Sequence, residues 1–103
     1  MLTIERIQIY NRLHKLEHVQ DSTFTLERGN YGNFEMSLSE KEGEKILVEQ
    51  FSYDNSMYII SNEYDSYRQQ IFSLDTLEEE VTALMNIILL RVRTQKEDKY
   101  SIL

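Results

Sequence analysis

The segment from Leu74 to Gln95 constrains the fold most strongly, because it predicts a long helix that is too apolar to lie on a surface. Asp75 is placed to cap this helix, and Glu78 three residues later would complete a capping box. Acidic residues follow the predicted N-terminus and basic residues precede the predicted C-terminus, which is the arrangement that the helix dipole favours. We therefore expect a helix over this whole segment.

Two apolar stripes run along the predicted helix at spacings of three and four residues. One contains Leu77, Val81, Leu84 and Ile88, and the other contains Met85, Leu89 and Val92. A helix of this kind has to be covered on two sides, by a sheet and by either the N-terminal helix or a second copy of the chain. The second stripe, Met85, Leu89 and Val92, is therefore the candidate self-association surface of a homodimer.

The rest of the chain predicts one helix followed by several strands. Residues 3–20 carry a helical pattern, with Ile9, Leu13 and Leu16 on one arc. From residue 23 onward the apolar period changes from 3.6 to two, which is typical of half-buried strands. We expect strands at residues 23–28, 34–39, 46–53, 57–62 and 67–73, joined by short polar loops such as the charged turn at residues 40–45.

This order of elements predicts an α+β fold with the sequence α-β-β-β-β-β-α. Its sheet is a four- or five-stranded antiparallel meander, and the N-terminal and C-terminal helices pack on one face. The opposite face is then free to meet a partner. We assign residues 1–95 to a single domain and residues 96–103 to a frayed C-terminal tail.

Composition argues against several classes of protein. The 103 residues include 18 acidic and 11 basic ones, and the net charge of −7 disfavours nucleic acid as a partner. The absence of cysteine excludes disulfides and thiolate catalysis. No signal peptide is recognisable, and the longest apolar run, residues 87–90, is far shorter than the ~20 residues that span a bilayer. We therefore expect a cytosolic protein that binds neither nucleic acid nor membrane.

The motifs of enzymes and cofactor sites are missing from the sequence. It contains no Gly-x-Ser-x-Gly elbow and no phosphate-binding glycine loop, so we expect neither catalysis nor a cofactor. His14, Glu17, His18 and Asp21 would place four metal ligands on neighbouring helical positions. A solvent-exposed helix face explains this spacing better, because nothing in the sequence supplies groups that would orient the ligands. In the metal-binding alternative, His14 and His18 would be the ligands.

Tyrosine carries the most suggestive functional pattern, since four of the seven tyrosines lie around the second predicted hairpin. We expect them to form an aromatic, acid-rimmed patch on one face of the sheet. Tyrosine supplies contact area at low entropic cost, and acidic groups steer a basic partner into place. The alternatives are a homodimer interface and the ordinary preference of tyrosine for exposed strands. The candidate partner-binding residues are Tyr53, Tyr58, Tyr64, Tyr67, Phe51, Glu49 and Asp54.

Together these features predict a non-enzymatic protein-binding module, such as an inhibitor, an immunity protein or an adaptor, with a basic protein as its partner. In size, charge and lack of catalytic residues the chain is similar in kind to bacterial immunity proteins and phage-encoded inhibitors, although this resemblance covers no motif. The alternatives are a small-molecule or metal-binding domain and a homodimeric structural protein.

Overall fold

Two helices, one short 3-10 helix and six strands make up the described part of the chain. The computed structural model describes residues 4–19, 22–29, 33–38, 44–50 and 57–101. In chain order the elements are α1 (Ile4–Lys15), β1 (His18–Val19), β2 (Ser22–Arg28), β3 (Phe34–Leu38), β4 (Lys45–Gln50), β5 (Tyr58–Asn62), the 3-10 helix (Glu63–Asp65), β6 (Tyr67–Ile71) and α2 (Leu74–Ser101).

The strands form a single antiparallel sheet in which each strand pairs with the next one along the chain. Strand β1 has two residues and pairs only with the start of β2, so the sheet consists in essence of the five longer strands. Met36 lies opposite both Leu26 and Ile46, and this register aligns the apolar positions of three strands on one face. The predicted α+β fold with an antiparallel meander between two helices is confirmed.

The hydrophobic core lies between the two helices and the face of the sheet that they cover, which we call the inner face. Helix α1 contributes Ile9 and Leu13, and the strands contribute side chains such as Phe24, Met36 and Ile60. Burial of each large apolar side chain contributes about 1.5–3 kcal/mol. The share of α2 comprises Leu77, Val81, Leu84, Met85, Ile88 and Leu89.

Helix α2 differs from its predicted form at both ends. Ser73 caps it, since the Thr76 N–H donates to the Ser73 hydroxyl at 3.1 Å. The predicted cap, Asp75, lies instead in the first turn, where its carboxylate pairs with Arg12 of α1 at 2.9 Å. The helix also continues to Ser101 rather than ending at Gln95. Neither described helix combines the length and apolar content of a membrane span.

Helix α1 ends at Lys15, so the prediction of a helix to residue 20 is wrong. The chain turns at Glu17 and then forms β1, in which His18 pairs with Thr23. The reason is a hydrogen-bonding role for Glu17 at the start of the sheet. Its carbonyl accepts the Phe24 N–H at 2.7 Å, and its carboxylate accepts the Leu26 N–H at 3.3 Å. These contacts satisfy backbone donors on β2 that a longer helix would leave unpaired.

Candidate functional site

The tyrosine patch does not have the predicted geometry, because Tyr58 lies in the core. Tyr58 is 6% exposed and stands opposite Gln50 on β4 and Ile71 on β6. Tyr58 is therefore a core residue, and the prediction that it faces a partner protein is wrong. The predicted residues Phe51, Tyr53 and Asp54 lie outside the described residues.

Tyr67 is half-buried on the inner face and links β6 to α2. Its hydroxyl donates to the Glu80 carboxylate at 2.7 Å. The Tyr67 hydroxyl oxygen also lies 2.8 Å from Gln69 Oε1. Burial, followed by the hydrogen bond to Glu80, raises the pKa of Tyr67 to about 12. The phenol is therefore neutral at physiological pH and acts as a bond between two elements within the chain.

Of the three candidate tyrosines that the structure describes, Tyr64 is the widely exposed one, at 56%. It belongs to the Arg91 cluster, which we define as Glu44, Tyr64, Asp65 and Arg91. The Arg91 guanidinium carbon lies 4.8 Å from the centroid of the Tyr64 ring, and Nη1 contacts both Asp65 carboxylate oxygens at 2.6 and 2.8 Å. Arg91 also forms an ion pair with Glu44, whose side chain is fully buried.

The Arg91 cluster is a structural connection between the start of β4, the 3-10 helix and α2. Burial lowers the pKa of Arg91, but the hydrogen bonds and charges of Asp65 and Glu44 outweigh it and leave the pKa raised. Glu44, which belongs to the charged turn predicted at residues 40–45, is therefore buried rather than exposed to solvent. The sequence analysis did not predict this cluster, because its members are distant along the chain. The available signal was Glu44, a single acidic residue directly before the alternating pattern of β4.

The predicted self-association stripe is part of the core of a single chain. Met85 and Leu89 are 0% and 3% exposed, and Val92 packs against the core. Both apolar stripes pack into the core under the inner face, so neither is left for a second copy. Among the side chains of α2 that the structure describes, the exposed large apolar ones are Ile87 at 44% and Leu90 at 64%.

The two histidines do not share a helix, because His18 belongs to β1. His14 Nδ1 lies 3.1 Å from a Glu17 carboxylate oxygen, and the His14 ring stacks on Tyr10 with the centroids 5.5 Å apart. The described residues contain no group of three or more side chains that could hold a metal ion. The helical ligand spacing on which the metal-binding alternative depended is therefore not formed.

The face of the sheet opposite to the helices, which we call the outer face, carries a depression of about 260 Å³. Glu35, Leu47 and Ser61 lie side by side on three neighbouring strands and form its floor. Lys45 and Glu63 complete the lining, and Lys45 Nζ lies 3.5 Å from a Glu35 carboxylate oxygen. We call this site the outer depression.

Two other residues of the outer face lie next to the outer depression. Glu49, one of the predicted acidic residues, is half-buried opposite Ile59. Ile59 itself is 6% exposed although it does not belong to the core between sheet and helices. Among its described strand residues, the outer face is thus mixed in character, with apolar side chains between carboxylates and no exposed aromatic ring.

A second, more apolar depression of about 210 Å³ lies between α1 and the β2–β3 hairpin. Ile7, Tyr10 and Phe34 form its walls, and Arg28 supplies its charged group. The ring centroids of Tyr10 and Phe34 are 6.3 Å apart, so this cleft lies between a helix and the sheet.

Comparison with known proteins does not assign a function. No protein-family model matches the sequence, and no curated protein or solved structure matches the chain. Function therefore has to be inferred from the surfaces of this chain.

Proposed function

We propose that the protein is a non-enzymatic protein-binding module, working as an inhibitor, an immunity protein or an adaptor. Its partner is a basic protein that docks on the outer face. One observation carries the proposal: two carboxylates, Glu35 and Glu63, line a depression with apolar Leu47 on the face of the sheet that the helices leave uncovered.

The dimensions of the outer depression fit a side chain better than a substrate. Its volume of about 260 Å³ is below the range of about 300–1,000 Å³ in which small-molecule sites usually fall. A partner's arginine would lay its aliphatic stem on Leu47 and direct its guanidinium to Glu35 and Glu63. Arginine fits this geometry better than lysine, because its planar fork binds carboxylates through paired hydrogen bonds.

Lys45 also lines this site, and its side chain has to move away from Glu35 when the partner binds. Its ammonium is 3.5 Å from Glu35, and its side chain is 56% exposed. Exposed ion pairs of this kind contribute about 0–1 kcal/mol, so displacement of Lys45 costs little. The net charge of −7 would attract a basic partner over a longer range, and salt would weaken that attraction.

The perturbed titratable groups support a non-enzymatic role. The hydrogen bonds to Glu78 and Asp75 raise the pKa of Arg12, while Tyr67 and Arg91 are held by Glu80 and by the carboxylates of the Arg91 cluster. Perturbed pKa values that serve catalysis are usually grouped in a cleft. Each of these three groups instead has a structural partner within the chain.

A pull-down with charge-matched variants tests the proposal. The tagged chain and its Glu35→Gln/Glu63→Gln variant are compared with an Asp75→Asn/Glu79→Gln variant, which removes the same charge at the start of α2. We expect the wild type and the α2 variant to recover the same basic protein, with less recovery at high salt. The Glu35/Glu63 variant should lose it, and its affinity for the purified partner should fall about 10- to 100-fold per lost charged hydrogen bond.

Two results would contradict this function. Equal loss of the partner from both variants would mean that total charge, rather than the outer depression, determines binding. Undiminished recovery by the Glu35/Glu63 variant would place the interface elsewhere on the molecule.

A further inference from the structure

The cleft between α1 and the β2–β3 hairpin has a preorganised aromatic wall. The Tyr10 ring stacks on His14 with the two planes 10° apart, and its centroid lies 6.3 Å from that of Phe34. Glu17 holds His14 in turn, since a Glu17 carboxylate oxygen lies 3.1 Å from His14 Nδ1. These contacts restrict the Tyr10 ring before a ligand arrives, so binding orders few additional groups.

Apolar side chains that water contacts surround a buried aromatic floor in this cleft. Ile7 and Tyr10 are one turn apart, share a side of α1 and are both exposed. Phe34 is buried and forms the floor. A ligand in the cleft would remove the apolar walls from water, which is favourable in proportion to the area covered.

Arg28 is the one charged residue among the described residues that line the cleft. It lies opposite Phe34 in the register and is exposed, and no carboxylate of the described residues forms an ion pair with it. Its acidic neighbours Glu27 and Glu35 lie on the outer face, because successive residues of a strand point to opposite faces. The cleft therefore offers a cation beside apolar walls, although the net charge of the chain is −7.

A ligand that matches this cleft has one aromatic ring and one carboxylate. A guanidinium binds a carboxylate through paired hydrogen bonds, and a single cation balances a single negative charge. The volume of about 210 Å³ lies below the range of about 300–1,000 Å³ for larger ligands, so it limits the ligand to about one ring with a short side chain. The outer depression is of similar size, but Glu35 and Glu63 would repel such an acid.

We propose that this cleft binds a small aromatic carboxylate, with Arg28 bound to the carboxylate and the ligand ring packed against Tyr10 and Phe34. The cleft lies on the inner face of the sheet, away from the outer depression. The inference is therefore independent of the proposed function.

A free acid matches the cleft better than the C-terminal residue of a partner protein does. An extended peptide usually gains affinity by pairing its backbone with the edge of a sheet. Along β2, the N–H groups of Phe24 and Leu26 already donate to Glu17, so this edge offers a peptide little to pair with.

Titration with phenylacetate, followed by two-dimensional NMR of the ¹⁵N-labelled chain, tests the site. We expect saturable shifts in the amide signals of residues 7, 10, 28 and 34, with a dissociation constant of about 1 mM or below, as is usual for a ligand of about ten non-hydrogen atoms. Phenylacetamide has the same shape without the charge and should bind about 10- to 100-fold more weakly.

Matched variants test the role of Arg28. Arg28→Gln should weaken phenylacetate binding about 10- to 100-fold, whereas Arg68→Gln removes the same charge from an exposed position beside Ser61 on the outer face and should bind as the wild type does. Unchanged amide spectra of the free variants would show that both are folded.

Four results would overturn the inference. The first is the absence of saturable shifts at about 10 mM phenylacetate, ten times the expected dissociation constant. The second is equal binding of phenylacetamide, and the third is undiminished binding by Arg28→Gln. The fourth is tighter binding of the peptide acetyl-Gly-Ser-Phe than of phenylacetate, which would assign the cleft to a chain terminus instead of a free acid.

Discussion

Replacement of Arg91 by leucine is expected to destabilise the protein by about 3–5 kcal/mol, the usual cost of breaking a buried ion pair. Arg91 pairs with Glu44, whose side chain is 0% exposed, and bonds both oxygens of Asp65. Without the guanidinium, Glu44 loses the cation that compensates a charge removed from water.

Most of this loss comes from Glu44, because the other contacts of Arg91 are partly solvated. The Asp65 side chain is 34% exposed, so that pair contributes at most about 1 kcal/mol. The contact with the exposed Tyr64 ring contributes about 0.5–1 kcal/mol. A domain is typically stable by about 5–15 kcal/mol, so the variant should lose a large fraction of its stability.

Urea unfolding followed by circular dichroism measures the change, with linear extrapolation to water. The control is a Glu44→Leu/Arg91→Leu variant, which we expect to lose no more than about 2 kcal/mol, the share of the Asp65 and Tyr64 contacts, because apolar side chains often replace a buried ion pair without loss. A cost below about 1 kcal/mol for Arg91→Leu would refute the reasoning. So would a double variant whose loss equals the sum of the two single losses, since contacting residues should show coupling.

Two further predictions concern single side chains of β5 and β6. The folded-state pKa of Tyr67 of about 12 exceeds the unfolded value of about 10, so its contribution to stability is complete below pH 10 and is lost as the pH rises toward 12. Phenolate absorbance should show one tyrosine titrating late, and Tyr67→Phe should remove both this titration and the loss of stability; a variant with the same alkaline slope would contradict the assignment. Asn62→Ala should cost about 1–2 kcal/mol in urea unfolding, because the 1% exposed Asn62 side chain accepts the Tyr64 N–H at 3.0 Å and caps the 3-10 helix. A loss no larger than that of the neighbouring Ser61→Ala would show that this cap is unimportant.

The candidate site shows which of its features the sequence alone could predict. Glu49 was predicted on a free sheet face, and it does lie on the outer face. The neighbours that form the outer depression, Glu35, Leu47 and Glu63, were not predicted as a group, because they come from three separate elements. Their proximity depends on the register of β3 with β4, whereas the alternation within one strand specifies only the face on which each residue lies.

The ends of helices show a related difficulty. Val19 continues the apolar arc of α1 in sequence, yet it belongs to β1, where it pairs with Ser22. Helical and strand patterns overlap over such short stretches, and the hydrogen bonds of Glu17 to β2 decide between them. Asp75 was likewise a reasonable cap by its type, but Ser73 lies one residue before the helix and satisfies its first N–H groups.

By itself, the sequence determined the order of the two helices and the five longer strands, and the apolar faces of elements such as β3 and α2. These properties arise from local periodicity: a period of two along β3 and two stripes along α2 predict the layers before any contact is known. Tertiary structure alone decided which apolar residues are covered and which charges meet. Tyr58 and Met85 are buried because a helix and a sheet face happen to oppose them, and Glu44 is tolerated in the interior because Arg91, far along the chain, reaches it. Burial and pairing are properties of two surfaces, whereas a local pattern describes only one.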